Sequence, residues 1–347
     1  MIAPTVPEIS DRTGAGAGVI GLLVTCFGLG QVAGYPLAGA AVRRLPASTV
    51  LAASVALTAA GDLGFVLGDG LEAYFPGRAV QGVAAGGLWM GCVFAVLERW
   101  PGQAFRRLTG LLAAYSLGGI AGPALGAIGG VRAPFLAHLG LALAAGSVLL
   151  VLCAPAERPR FSSDRAVLRL PGFVLASAGI VLVATALGSL EGPLPLHFDE
   201  RLGQTEIAAL FVGASVVVGI AAVAAGRLAP RPALVLGAVL LPAGIELAAA
   251  GETTPVWIAG VAVAAVGFGA GETGALGMLL ETVGVERIVL AMVVWSQAWG
   301  IGYLAGPAAA GGLAEALGFA GVGLVPLAGS VAVALAFRRA PAPARTA

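Results

Sequence analysis

Gly118-Gly-Ile-Ala-Gly122-Pro123-Ala-Leu-Gly126 and Gly302-Tyr-Leu-Ala-Gly306-Pro307-Ala308 carry one Gly-x-x-x-Gly-Pro-Ala pattern twice, 184 residues apart. Arg43 recurs at the same interval as Arg227, and the preceding Gly39 and Gly226 are 187 apart. A chain that repeats itself at half its length is built from two homologous halves. Both copies sit inside apolar stretches long enough to cross a bilayer, for which about 20 residues suffice. The repeat therefore predicts two related bundles of hydrophobic helices.

Composition points the same way. Of 347 residues, 59% are hydrophobic and 11% charged, against roughly 25% charged in an ordinary soluble domain. So few ionisable groups cannot cover the surface of a water-soluble globule of this size. All 19 basic residues are Arg, and the net charge of +1 gives no sign of a nucleic-acid partner. Cys26, Cys92 and Cys153 lie in or beside apolar stretches without a C-x-x-C spacing, so neither a disulfide framework nor a metal site is expected.

Eleven spans are predicted, near 16–42, 48–68, 74–97, 106–130, 133–153, 168–190, 205–226, 232–250, 255–280, 286–312 and 318–337. Fifteen arginines fall in one alternating set of loops, from Arg43 and Arg44 through Arg99, Arg106, Arg107, Arg158, Arg160, Arg165, Arg169, Arg227, Arg231 and Arg287 to Arg338, Arg339 and Arg345. Cytoplasmic loops retain positive charge during insertion, so the C-terminus is expected in the cytoplasm and, with an odd number of spans, the N-terminus outside. Placing the second half at Leu168 and subtracting the repeat puts the start of the first about 16 residues before Met1. The expected arrangement is a first bundle over 1–153 lacking its opening helix, a basic linker over 154–167 and a second bundle of six helices over 168–347.

Two parallel halves of six spans joined by a basic linker resemble the major facilitator superfamily. Pro4-Thr-Val-Pro7 is similar to the P-x-x-P that closes that family's first helix, and Arg78, Gln81 and Gly82 to its R-x-x-Q-G motif. Gly118, Gly122, Pro123 and Gly126 resemble the motif that marks drug and proton antiporters within it. There the glycines let helices approach, while the proline removes a backbone donor and bends the helix. The loop after Gly39 departs from the family: Arg43 stands where an Asp is expected, Arg44 matches a basic position and Pro46 replaces a Gly. The resemblance implies an all-α polytopic membrane protein with eleven of twelve spans, acting as a monomeric, cofactor-free, proton-coupled exporter of lipophilic small molecules in a bacterial cytoplasmic membrane. A facilitator or symporter for a sugar, amino acid or organic anion is the alternative, and a non-transporting remnant a third. A membrane-embedded enzyme is disfavoured because no Ser/His/Asp set, His pair or acidic metal cluster lies at bilayer depth.

An ionisable group inside the bilayer costs about 2.5–3.5 kcal/mol on insertion scales, so each one calls for a reason. Glu272, within Gly267-Phe-Gly-Ala-Gly271-Glu-Thr, is the candidate coupling acid, neutral when occluded and ionised when wetted by one compartment. The resemblance makes Arg78 its partner in proton relay; snorkelling to headgroups is the competing explanation. Gln31, Gln81, Trp89, Tyr115, Trp295 and Gln297 are the expected cavity wall, whose aromatic faces suit flat or cationic molecules. Asp62 and Glu246 are expected to pair between helices, Glu98 and Glu281 to sit at interfaces, and His138 and His197 to have structural roles.

Overall fold

Turns between helices are set by a few residues that tolerate unusual backbone. Gly14, Gly129, Gly130 and Gly318 are the positive-φ residues, at 67°, 95°, 64° and 76°, a region side chains avoid. Between such turns, long Ala-, Leu-, Val- and Gly-rich runs form helices. In the computed structural model, residues 2–100, 103–152, 165–283 and 287–339 are described. They form α1 (Ile2–Thr13), α2 (Ala17–Ala41), α3 (Ala47–Leu67), α4 (Leu71–Arg99), α5 (Ala104–Gly126), α6 (Arg132–Leu152), α7 (Pro171–Glu191), α8 (Leu194–Phe198), α9 (Gln204–Ala225), α10 (Pro230–Ala250), α11 (Thr254–Thr282), α12 (Ile288–Leu317) and α13 (Leu324–Arg339). Short 3-10 turns at Arg165–Arg169 and Phe319–Gly323 lead into α7 and α13.

Among the described residues, ten segments are long and apolar enough to cross a membrane. The predicted span at 106–130 corresponds to α5, 23 residues long. Leu29, Leu37, Leu67, Ile220 and Val223 are more than half exposed, the pattern of a surface whose solvent is lipid. Cys153, Arg158, Arg160, Arg345 and linker residues 154–164 lie outside the described residues, as do the side chains of Arg106 and Arg339.

α4 packs on both α2 and α3, with α6 against α3, while α7 packs on α11, α12 and α13, and α11 on α9 and α10. The long contact between the two groups is α2 against α12, with α5 against α9 as the second. Glycine makes the first seam possible: a methyl at Gly21 would lie 2.3 Å from the Pro307 carbonyl oxygen, and one at Gly28 2.5 Å from the Leu304 nitrogen. Thr25 adds a hydrogen bond to the Leu304 carbonyl at 3.0 Å.

Two sequence expectations are corrected here. Pro4 and Pro7 do not close a helix but lie within α1: Pro4, in the first turn, lacks a donor that would be unpaired there anyway, whereas Pro7 is inside the helix and gives up one intrahelical bond. The repeated glycine motif also behaves differently in its two copies. Gly302 and Gly306 press on α7, with methyls there 2.4 and 2.3 Å from the Val181 and Thr185 carbonyl oxygens, whereas a methyl at Gly118 would meet nothing within 4 Å. In the first copy the contact is made beside the motif residue, where Ser215 of α9 donates to the Gly119 carbonyl at 2.7 Å. At the end of α5, Gln204 donates to the Gly126 and Gly130 carbonyls at 2.9 and 3.1 Å.

Candidate functional site

Helical periodicity brings one stripe from each of three helices to the centre. Residues four apart share a helix face, and α2 presents Phe27, Gln31 and Tyr35, α4 presents Arg78, Gln81, Ala85 and Trp89, and α12 presents Trp295, Trp299 and Tyr303. Between them lie two adjoining chambers. The smaller, about 110 Å³, is lined by Phe27, Gln31, Tyr35, Ala85, Trp89, Tyr115, Glu272, Trp295, Ser296 and Trp299. The larger, about 470 Å³, shares Phe27, Gln31, Ala85, Tyr115 and Trp299 and adds Arg78, Gln81, Thr58, His138, Glu191 and Tyr303 among its walls.

Glu272 is held in place by its glycine neighbours. Methyls at Gly271 and Gly274 would lie 3.0 Å from Val183 and 2.4 Å from the Leu234 nitrogen, so α11 sits tightly on α7 and α10 and Glu272 is left facing the small chamber. Glu272 as a residue is 5% exposed; among the described residues its carboxyl makes no hydrogen bond or ion pair. The Gln31 side-chain oxygen is likewise buried without a partner. Two unsatisfied acceptors thus face one small chamber otherwise walled by aromatic rings. Trp89 meets Tyr115 edge-on at 6.1 Å and donates through Nε1 to Ser296 Oγ at 3.0 Å, tying α4 to α12. Trp295 Nε1 donates to the Ala176 carbonyl at 3.2 Å, and Phe268 braces Trp299 edge-on at 6.2 Å.

The large chamber holds a polar chain. Arg78 Nη1 donates to Gln81 Oε1 at 2.9 Å, Gln81 Nε2 donates to Asp62 Oδ1 at 2.7 Å, and His138 Nδ1 lies 2.8 Å from Asp62 Oδ2. The Arg78 guanidinium stands 4.4 Å above the Phe27 ring, while its Nε is buried without a partner. Tyr303, edge-on to Phe27 at 5.6 Å, donates a short hydrogen bond to Glu191.

Five of the six expected wall residues, Gln31, Gln81, Trp89, Tyr115 and Trp295, line these chambers; Gln297 lines neither. Two positions beyond Trp295, it points some 200° away around the helix, and Ser296 and Trp299 take its place. The expected proton-relay pair is split, Glu272 in the small chamber and Arg78 in the large one. Asp62 does pair between helices, with His138 as a cavity-lining partner rather than a purely structural ring. Glu191, Tyr303 and Phe27 went unrecognised, although the 295–299–303 and 27–31–35 spacings were visible. Gly39 packs on Val293 of α12, and Arg43 and Arg44 line a separate groove with Leu37, Ala40 and Ala41. Elsewhere, Glu246 lies exposed against the Gly323 turn. His197 is 3.0 Å from both Glu200 and the Gly251 carbonyl. Among the described residues no group of three His, Cys, Asp or Glu side chains could hold a metal ion.

Residues 1–271 match the family model described as Major Facilitator Superfamily. The chain belongs to the major facilitator superfamily. As a superfamily member it is a multi-pass membrane protein with a transporter's fold. Multidrug resistance protein 1 of Bacillus subtilis (strain 168) is 24% identical to it over 230 residues, a match spanning 62% of this chain and 59% of that protein. The fold is similar to the crystal structure of the human organic anion transporter MFSD10 (TETRAN), with a TM-score of 0.66 at 17% identity, over 92% of this chain and 83% of the other.

Proposed function

We propose that this protein is a secondary active transporter that exports lipophilic, protonated amines across a bacterial cytoplasmic membrane in exchange for protons, alternating access between its two helical halves. The observation that carries the reading is the small chamber, where the unpaired Glu272 carboxyl and Gln31 oxygen face aromatic rings. A carboxylate supplies counter-charge, an amide oxygen accepts an N–H, and ring faces attract a desolvated cation. The same carboxyl binds either a proton or an organic cation, never both, and that exclusivity couples the two fluxes in opposite directions. The family assignment and the drug-resistance relative support transport of small molecules, and the arginine-rich helix ends support a cytoplasmic C-terminus.

Reconstitution tests it. Glu272→Gln is expected to abolish pH-gradient-driven movement of tetraphenylphosphonium while leaving membrane insertion intact; normal movement in that variant would sink the reading. One observation favours a second reading, transport of an organic anion: the buried Arg78 Nε lacks a partner at the large chamber. An aromatic carboxylate that competes with tetraphenylphosphonium for the wild-type protein, and fails to do so in Arg78→Gln, would decide for it.

A further inference from the structure

Asp62 is 0% exposed, yet both of its carboxylate oxygens are engaged, one by Gln81 and one by His138. A carboxylate removed from water needs hydrogen bonds and counter-charge to replace its hydration. Of its two partners, His138 lines the large chamber with a third of its side chain exposed. Nδ1 is committed to Asp62, which leaves Nε2 for water in the chamber. The opposite oxygen leads inward instead, through the Gln81 amide to Arg78. The charged and titratable groups around this chain are Cys26 of α2, Arg78 of α4, Tyr115 of α5, Glu191 of α7 and Tyr303 of α12, with Asp62 on α3 and His138 on α6.

We infer that Asp62 and His138 form a proton-binding pair in the first half of the protein, separate from Glu272 and acting on Arg78. The step balances simply. A proton from chamber water adds to His138 Nε2, forming one N–H bond, and the neutral contact to Asp62 becomes an imidazolium–carboxylate ion pair; the proton leaves to water by the same route. Without that proton, the Asp62 charge is balanced by Arg78 through Gln81. With it, His138 balances Asp62, and Arg78 is released toward Glu191 and Tyr303 of the other half. One proton thereby redirects a buried cation from a partner within its own half to one across the interface, the redistribution an alternating-access cycle requires. The inference rests on the transport reading above, and its failure is separable from that reading's.

The chain has two histidines, so His197→Gln leaves His138 as the sole imidazole of the full-length protein. Ring-nitrogen NMR of that variant in detergent is expected to show both the bare and the protonated ring as the sample is acidified, and a changed Nδ1 resonance when Asp62→Asn is added. In proteoliposomes, His138→Gln should lose the pH dependence of tetraphenylphosphonium transport. A ring that stays in one protonation state, or a His138→Gln protein with the wild-type pH profile, overturns the inference. Normal transport by Glu272→Gln would instead overturn the coupling role proposed for Glu272 and leave the ring titration standing as its own result. Should His138→Gln fail to fold, the NMR titration decides alone.

Discussion

Glu315, near the end of α12, accepts the backbone N–H of Gly18 in the first turn of α2 at 2.8 Å, across 297 positions of sequence. The carboxylate sits where the unpaired amides and dipole of a helix N-terminus favour negative charge. It joins the two halves at the end of the molecule remote from Arg43 and Arg44, alongside the Gln204 contacts to Gly126 and Gly130. Any cycle that opens this end must break both contacts.

Gly18→Ala places a methyl 2.7 Å from Glu315 Oε2 and should loosen that closure. Spin labels near the ends of α2 and α12 on that side are expected to report a longer, broader distance distribution in Gly18→Ala and in Glu315→Ala than in wild type. Unchanged distributions would show that the bond does not govern closure.

Aromatic walls should matter one by one. Trp299 faces both chambers, and a ring–cation contact of about 0.5–2 kcal/mol corresponds to roughly a two- to thirtyfold change in affinity. Trp299→Leu should weaken tetraphenylphosphonium binding by that factor in equilibrium dialysis, whereas Gln297→Ala, off the cavity face, should leave it unchanged.

Arg78 should tolerate only a partial replacement. Its guanidinium combines a charge, a bond to Gln81 and a face over Phe27, and lysine reproduces the charge without the planar fork. Arg78→Lys is expected to retain a fraction of gradient-driven transport and Arg78→Gln none, with expression and insertion checked in parallel.

The two copies of the glycine motif should respond oppositely to the same change. A side chain at Gly306 meets the Thr185 carbonyl oxygen at 2.3 Å, and overpacking of this kind costs about 1–3 kcal/mol. Gly306→Ala should therefore lower the melting temperature in detergent. Gly118→Ala, with open space around it and about 1 kcal/mol gained in helix propensity, should keep or raise it.

Helix positions were legible because hydropathy and length alone mark a bilayer span: the expected 48–68, 168–190 and 255–280 correspond to Ala47–Leu67, Pro171–Glu191 and Thr254–Thr282. Buried ionisable residues were equally visible, since Glu272, Arg78 and Asp62 stand out against apolar neighbours. Their grouping was not. Asp62, Gln81 and His138 come from three different helices, and only packing sets their 2.7 and 2.8 Å contacts. Cavity residues on α12 could have been sorted by spacing from Trp295, which keeps Trp299 and Tyr303 and rejects Gln297. Gly118 looked equivalent to Gly302 because sequence records a repeat but not the neighbour that each copy receives.

Phe27, Gln31, Tyr115 and Trp299 are walls of both chambers at once. They form a party wall: a guest that turns the Trp299 indole in one room changes the floor plan of the other. Under the proposed function, occupancy of the Glu272 room and the setting of the Arg78 chain are thus read through these shared walls, Ala85 completing the set. The exchange proposed above would need no long-distance messenger between the two rooms.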